Sequence, residues 1–211
     1  MITAVAQLLY YLYTFLMKFI SEKTMNQYNL KGIYQEIWEY LGIGVVDRNS
    51  GFHTFSLATI NGDIPDNRTV VLRGCDKENM KLSFNTNNFS KKIKHISNNY
   101  KVSALFYDKE KKIQIRIMGN AYINNGNLYC QEKWEKMSDQ SKECYYQNIN
   151  PGDVIDSPDD VKTKIINETS ISFTIVDINI NSIDWLSLSA SGHTRARFMK
   201  ENKFDGEWIA P

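Results

Sequence analysis

The sequence predicts a mainly β domain, an antiparallel barrel with a few helices packed against its outside. Three observations predict it. Seven or eight short segments alternate apolar and polar residues at the period of a strand. Only three or four stretches repeat at helical spacing. Turn signals such as Asn61-Gly62-Asp63 sit between neighbouring strand segments, as antiparallel pairing requires. A chain of 211 residues suits one ordinary domain, and 42% apolar residues are enough to fill its core.

Residues 1–24 read as a hydrophobic N-terminal extension, without charge from Ile2 to Met17. That run is shorter than the roughly 20 residues a membrane-spanning helix needs. It also lacks the basic start and small-residue cleavage site of a secretory signal. It is read as a non-native upstream start or a loosely docked helix, and residues 25–211 as the single domain.

Leu30 to Leu41 places Ile33, Ile37 and Leu41 on one helical face, with Gly42 and Gly44 as the stop. Phe52 to Ile60, Thr69 to Arg73 and Met80 to Phe84 read as strands, and Ser90 to Asn98 as a short helix with Ser90 near its N-cap. Val102 to Tyr107 and Ile113 to Ile123 are two more strands, and Trp134 to Gln147 a helix. Pro151 to Asp160 is a polar connection. Ser172 to Ile178, Ile183 to Leu188 and Thr194 to Phe198 close the chain as strands.

Charge narrows the function. With 25 basic and 24 acidic residues, the net charge of +1 argues against a nucleic-acid binder. Cys75, Cys130 and Cys144 lie far apart, and so do His53, His95 and His193. No metal site or disulfide framework is expected, and a reducing, cytoplasmic setting fits the cysteine usage. Arginine is scarce beside lysine, so a surviving arginine marks a place that needs a planar, bidentate donor. Arg68, Arg73, Arg116, Arg195 and Arg197 all lie in strand-like segments.

Four segments carry the candidate chemistry. In Arg68-Thr-Val-Val-Leu-Arg73, alternation sends Arg68, Val70 and Leu72 to one face and Thr69, Val71 and Arg73 to the other. The stretch from Asn85 to Lys92 leaves a strand and opens a helix. There the helix N–H groups, Ser90, Lys91 and Lys92 make a phosphate site of general type. Gln114 and Arg116 share the polar side of their strand, where a glutamine can both donate and accept. Trp185, His193, Arg195 and Arg197 form a polar concentration near the C-terminus.

In order and spacing, these segments resemble the flavin-binding pattern of the pyridoxamine 5′-phosphate oxidase family, whose fold is an FMN-binding split β-barrel. The resemblance runs from about Leu30 to Pro211. It rests on the Arg68 to Arg73 strand, on Thr86 followed by Ser90, Lys91 and Lys92, on Gln114 before Gly119, and on Trp185 before Arg195. It implies that FMN is the cofactor, that Thr86 is among the residues binding it, and that Arg68, Ser90, Lys91 and Lys92 hold its phosphate. The backbone at Val70 and Val71 would flank the ring, with Arg73, Gln114, Trp185 and Arg195 at its edge. It also implies a homodimer acting on a small molecule; the charge balance speaks against a nucleic-acid partner, and the short apolar run leaves membrane association through residues 1–20 only as the lesser alternative.

Two features depart from the vitamin B6 enzymes. The arginine they carry two residues before the late histidine is Ser191 here, although His193, the candidate catalytic residue, is kept. The stretch from Trp134 to Lys142, expected to grip a substrate phosphate, has no arginine. The implied function is an FMN-dependent oxidoreductase of unidentified substrate. A genuine pyridoxamine/pyridoxine phosphate oxidase and a non-catalytic flavin or haem binder are the alternatives.

Overall fold

The computed structural model describes residues 29–163, 170–190 and 192–211, so the extension 1–24 and Ser191 lie outside the described residues. Helix α1, Leu30–Val46, starts where the Asn29 side chain accepts the Lys31 N–H at 3.0 Å. It buries Ile33, Ile37, Trp38 and Leu41, the face expected from their spacing. The helix runs past both glycines that the sequence reads as its stop. Gly44 serves close approach instead, since a Cβ there would lie 2.4 Å from the Phe52 carbonyl oxygen.

Strand β1, Thr54–Asn61, turns at Gly62, whose φ is +67°, into β2, Ile64–Asp76. Their pairing runs from Thr54 opposite Val71 to Asn61 opposite Ile64. β2 is longer than the sequence suggests and takes in Pro65. Proline is tolerated because β3, Lys81–Asn87, pairs only with Leu72 to Asp76. Beyond that stretch, the edge of β2 turned away from β1 has no strand partner among the described residues. Helix α2, Lys91–Asn98, follows, then β4, Lys101–Asp108, and β5, Ile113–Asn125.

Helices α3, Leu128–Glu135, and α4, Asp139–Lys142, stand where one helix from Trp134 to Gln147 is expected. The break is set by capping. Asn127 accepts the Cys130 N–H at 3.0 Å to start α3, and Ser138 starts α4 anew. Trp134, Tyr145 and Phe173 then pack ring on ring as a second, smaller cluster.

The two strands expected over residues 172–188 are one, β6, Phe173–Ser187. β7, Thr194–Met199, pairs with its second half, and a short β8, Gly206–Ile209, pairs with β7. Strand order is β3-β2-β1-β4-β5-β6-β7-β8 with a further β3–β6 pairing. Strands β1 to β6 therefore close into an antiparallel barrel, as the sequence predicts. β6 can close it because its first half pairs with β3 while its second half pairs with β7. Phe55, Phe84 and Phe106 fill the interior with centroids 4.8–6.0 Å apart. Among the described residues, no helix is long and apolar enough to cross a membrane.

Candidate functional site

Arg68 projects from the same face of β2 as the buried Val70 and Leu72, near the strand's open edge. Its Nη1 donates to Thr59 Oγ1 at 2.7 Å and to the Leu57 carbonyl at 3.1 Å, and its Nη2 meets Asp66 Oδ2 at 2.6 Å. Three fixed acceptors therefore hold the guanidinium.

Thr86 lies near the end of β3, and Ser90 is the N-cap residue of α2; both are buried. The Ser90 side chain makes no bond to its own helix, and its Oγ lies 3.4 Å from Thr86 Oγ1. Lys92, in the first turn, donates to the same Thr86 oxygen at 3.0 Å. Burial first, and the Arg68 charge second, hold the Lys92 amine below the usual lysine range, with Asp66 pulling the other way. Two half-buried cations thus share one carboxylate, beside two hydroxyls and a helix N-terminus. That donor set fits a phosphate. Lys91 is exposed on the same turn.

The open edge of β2 lies alongside, over the stretch that contains Val70 and Val71. Val70 is buried and Val71 half-buried. A strand edge without a partner leaves backbone N–H and C=O groups free for a planar, hydrogen-bonding ring.

A second group forms on the outer face of the sheet. Gln114 on β5 is in register with Leu186 on β6, which faces Arg195 on β7. One step along, Arg116 faces Asp184. The Asp184 carboxylate accepts from Arg195 Nε at 3.0 Å and Nη2 at 2.7 Å, and from Arg116 Nη2 at 2.7 Å. Burial pushes its pKa up, but the two guanidiniums outweigh this and hold it below the usual value. Arg195 is therefore braced rather than free, by an aspartate that the sequence reading does not single out.

Trp185 faces the opposite way, into the barrel between Ile115 and Ala196, and is 3% exposed. Its indole N–H has no acceptor among the described residues. Such an orphaned donor is costly unless something outside the chain satisfies it. Arg73 is exposed at the irregularity between Leu72 and Gly74 and faces the segment after α4. There burial pushes the Cys144 thiol and the Tyr145 phenol up, and the Arg73 charge opposes both shifts. His193 is exposed just before β7.

The structure therefore brings Arg68, Thr86, Ser90 and Lys92 together as one clamp. Gln114 and Arg195 lie elsewhere: β2 and β5 are three strand steps apart along the barrel wall, and Gln114 and Arg195 turn to its outer face while Arg68 shares the face of the buried Val70 and Leu72. Thr59, Asp66 and His95, which line the clamp, go unread in the sequence. Asp66 carried a signal, since alternation places it on the Arg68 face two residues earlier. Among the described residues, no group of three possible metal ligands occurs.

Residues 35–125 match the family model for the pyridoxamine 5′-phosphate oxidase, FMN-binding domain. No curated protein sequence matches the chain. Among solved structures, the chain is similar to a pyridoxamine 5′-phosphate oxidase-related, FMN-binding protein from Nostoc punctiforme PCC 73102. The TM-score is 0.69 at 20% identity, over 84% of this chain and 96% of that one. It is also similar to PhzG from Burkholderia lata 383, crystallised with tetrahydrophenazine-1-carboxylic acid. Here the TM-score is 0.67 at 16% identity, over 84% and 92% of the two chains. Both likenesses concern the fold.

Proposed function

We propose, on the premise that residues 35–125 are an FMN-binding domain of the pyridoxamine 5′-phosphate oxidase family, that the protein is an FMN-dependent oxidoreductase acting on a small molecule. The observation that carries this reading is the Arg68 guanidinium beside Lys92, which itself donates to Thr86 next to Ser90 at the start of α2. Bound there, FMN would supply two-electron transfer to or from the substrate. The chain's own contribution is to hold the phosphate, offer backbone groups along β2 to the ring, and keep water from its inner face.

The working unit is a homodimer. Gln114 and Arg195 turn to the outer face of the sheet, away from the face that carries the clamp, so they do not meet the same ring within one chain. A second copy would bring its Gln114 and Arg195 to the first copy's clamp. The outer face that would join the copies exposes Leu105, Tyr107 and Met118 around Gln114 and Arg116, and such a patch favours burial. Cys75, Cys130 and Cys144 are all unbridged, in keeping with a reducing, cytoplasmic setting.

Vitamin B6 phosphates are not the favoured substrates. Lys142 sits 5.7 Å from the Trp134 ring centroid and 3.7 Å from Asp139, and no arginine replaces it as a bidentate grip. Ser191, the other departure, lies outside the described residues. With FMN bound, pyridoxine phosphate should release hydrogen peroxide at a rate roughly two to four decades below that of a dedicated oxidase, as loss of two charge-assisted contacts requires. Turnover at the rate of a dedicated oxidase would overturn that assignment. The first test of the whole reading is the absorption spectrum of the purified protein, followed by turnover with a panel of electron donors. Flavin bands and donor-dependent turnover support it; a protein that neither carries nor takes up FMN refutes it.

Lys92 makes the binding depend on pH. Its pKa is lowered in the free protein, and a bound phosphate would raise it. Binding then takes up a proton between the two values, so FMN affinity falls as pH rises through that window. The window opens below the ordinary lysine value of about 10.4. The ratio of FMN to riboflavin affinity should therefore fall as pH rises toward that value, and Lys92→Met should flatten the profile. Fluorescence-quenching titrations of both flavins measure it, and a flat ratio in the unaltered protein would contradict the role given to Lys92.

A further inference from the structure

The clamp has a buried polar support that phosphate binding alone does not explain. Thr59 ends the inward row Phe55, Leu57, Thr59 on β1, where it is 1% exposed. His95 is 5% exposed on the buried face of α2, between Ile93 and Ile96. A leucine would satisfy the packing at that position, so the imidazole has another use there.

The hydrogen-bond directions show what the use is. A guanidinium can only donate, so Thr59 Oγ1 accepts from Arg68 Nη1 at 2.7 Å. The same oxygen lies 3.1 Å from His95 Nδ1, so the hydroxyl is held between the guanidinium and the imidazole. Thr59 Oγ1 thus links Arg68 to His95, and its bond to the ring fixes the rotation of the hydroxyl that accepts from Arg68. Asp66 Oδ2 lies 2.6 Å from the second Arg68 nitrogen and 3.6 Å from His95 Nδ1, so it sits beside this relay without belonging to it.

We propose that His95 is a positioning residue for phosphate recognition, acting through Thr59 to fix the Arg68 guanidinium in the orientation that receives the flavin phosphate. This rests on the FMN reading above and adds to it a residue that need not touch the ligand. Without the imidazole, the Thr59 hydroxyl is free to rotate, its lone pairs leave Arg68, and the guanidinium loses an acceptor and its fixed plane. The loss should fall on flavins that carry a phosphate and spare those that do not.

The test titrates FMN and riboflavin into the unaltered protein and into His95→Leu, His95→Asn and Thr59→Val, following flavin fluorescence. His95→Leu should weaken FMN binding about tenfold and leave riboflavin binding unchanged, as loss of one support to a charged hydrogen bond implies. His95→Asn, whose amide can donate or accept near the place of Nδ1, should recover most of the loss. Thr59→Val, which keeps the side chain's shape, should match His95→Leu, and the two together should be no worse than either alone. Thr59→Val reports the same coupling if His95→Leu does not fold. Equal losses for both flavins, no loss of FMN affinity, or failure of asparagine to rescue would each overturn the proposal. An unaltered protein that binds FMN no better than riboflavin would overturn the phosphate clamp itself, and that result is read before any variant is made.

Discussion

Replacing Arg68 and Lys92 together by alanine should weaken FMN binding by about two to three orders of magnitude and leave riboflavin binding nearly unchanged. A hydrogen bond to a charged partner is worth roughly 1.5–3 kcal/mol. Arg68 keeps 20% of its side chain exposed and Lys92 is half-buried, so the low end applies, and two such bonds give about 3–4 kcal/mol. Arg68→Ala alone should be the worse of the two single variants. It removes the partner of Asp66, whose carboxylate then faces the phosphate unneutralised. Adding Asp66→Asn to Arg68→Ala should therefore recover part of the loss. The measurement is a pair of flavin titrations for each variant, and an FMN affinity unmoved by the double substitution would remove the phosphate from this end of the barrel.

Gly119→Val should destabilise the fold by about 4 kcal/mol, lowering the melting temperature by roughly 8–16 °C. A Cβ at Gly119 would lie 2.4 Å from the Asn179 carbonyl oxygen and 2.8 Å from Ile178 Cγ2. The first of these is backbone, in the strand that closes the barrel, so relief requires β5 and β6 to move apart. Gly119 also sits at the register shift between these two strands, which limits how far either can yield. Gly42 is the contrasting control: nothing lies within 4 Å of a Cβ there, inside α1. Gly42→Ala should raise stability by about 0.5–1 kcal/mol through helix propensity. Thermal unfolding followed by circular dichroism distinguishes the two, and a Gly119→Val protein as stable as the original would contradict the packing described for the β5–β6 seam.

Much of the clamp was legible because it is local. Arg68 sits on an alternating strand, while Thr86, Ser90 and Lys92 lie within one strand-to-helix step, so few residues of chain fix their relation. The resemblance ordered these pieces, and the fold agrees with it. The single helix expected from Trp134 to Gln147 gives way to two short ones because side-chain caps at Asn127 and Ser138 outweigh a weak apolar pattern. Residues 172–188 read as two strands because Asn181 and Ser182 interrupt the alternation at the register shift, where a single strand bends without ending.

By itself, the sequence determined the β-rich class, the face each strand residue turns inward, and the cations that gather at the start of α2. Those properties follow from the period of a strand and the free donors of a helix end, which act over a few residues. Only the tertiary structure decided that β6 pairs with β3 and β7 on one edge, that Asp184 braces two arginines from neighbouring strands, and that Thr59 and His95 stand behind Arg68. These join residues from different elements, 36 positions apart in the case of Thr59 and His95 and 68 in that of Arg116 and Asp184. Alternation names the face a side chain occupies, but its neighbour across the sheet depends on strand register, and register is fixed only when the barrel closes.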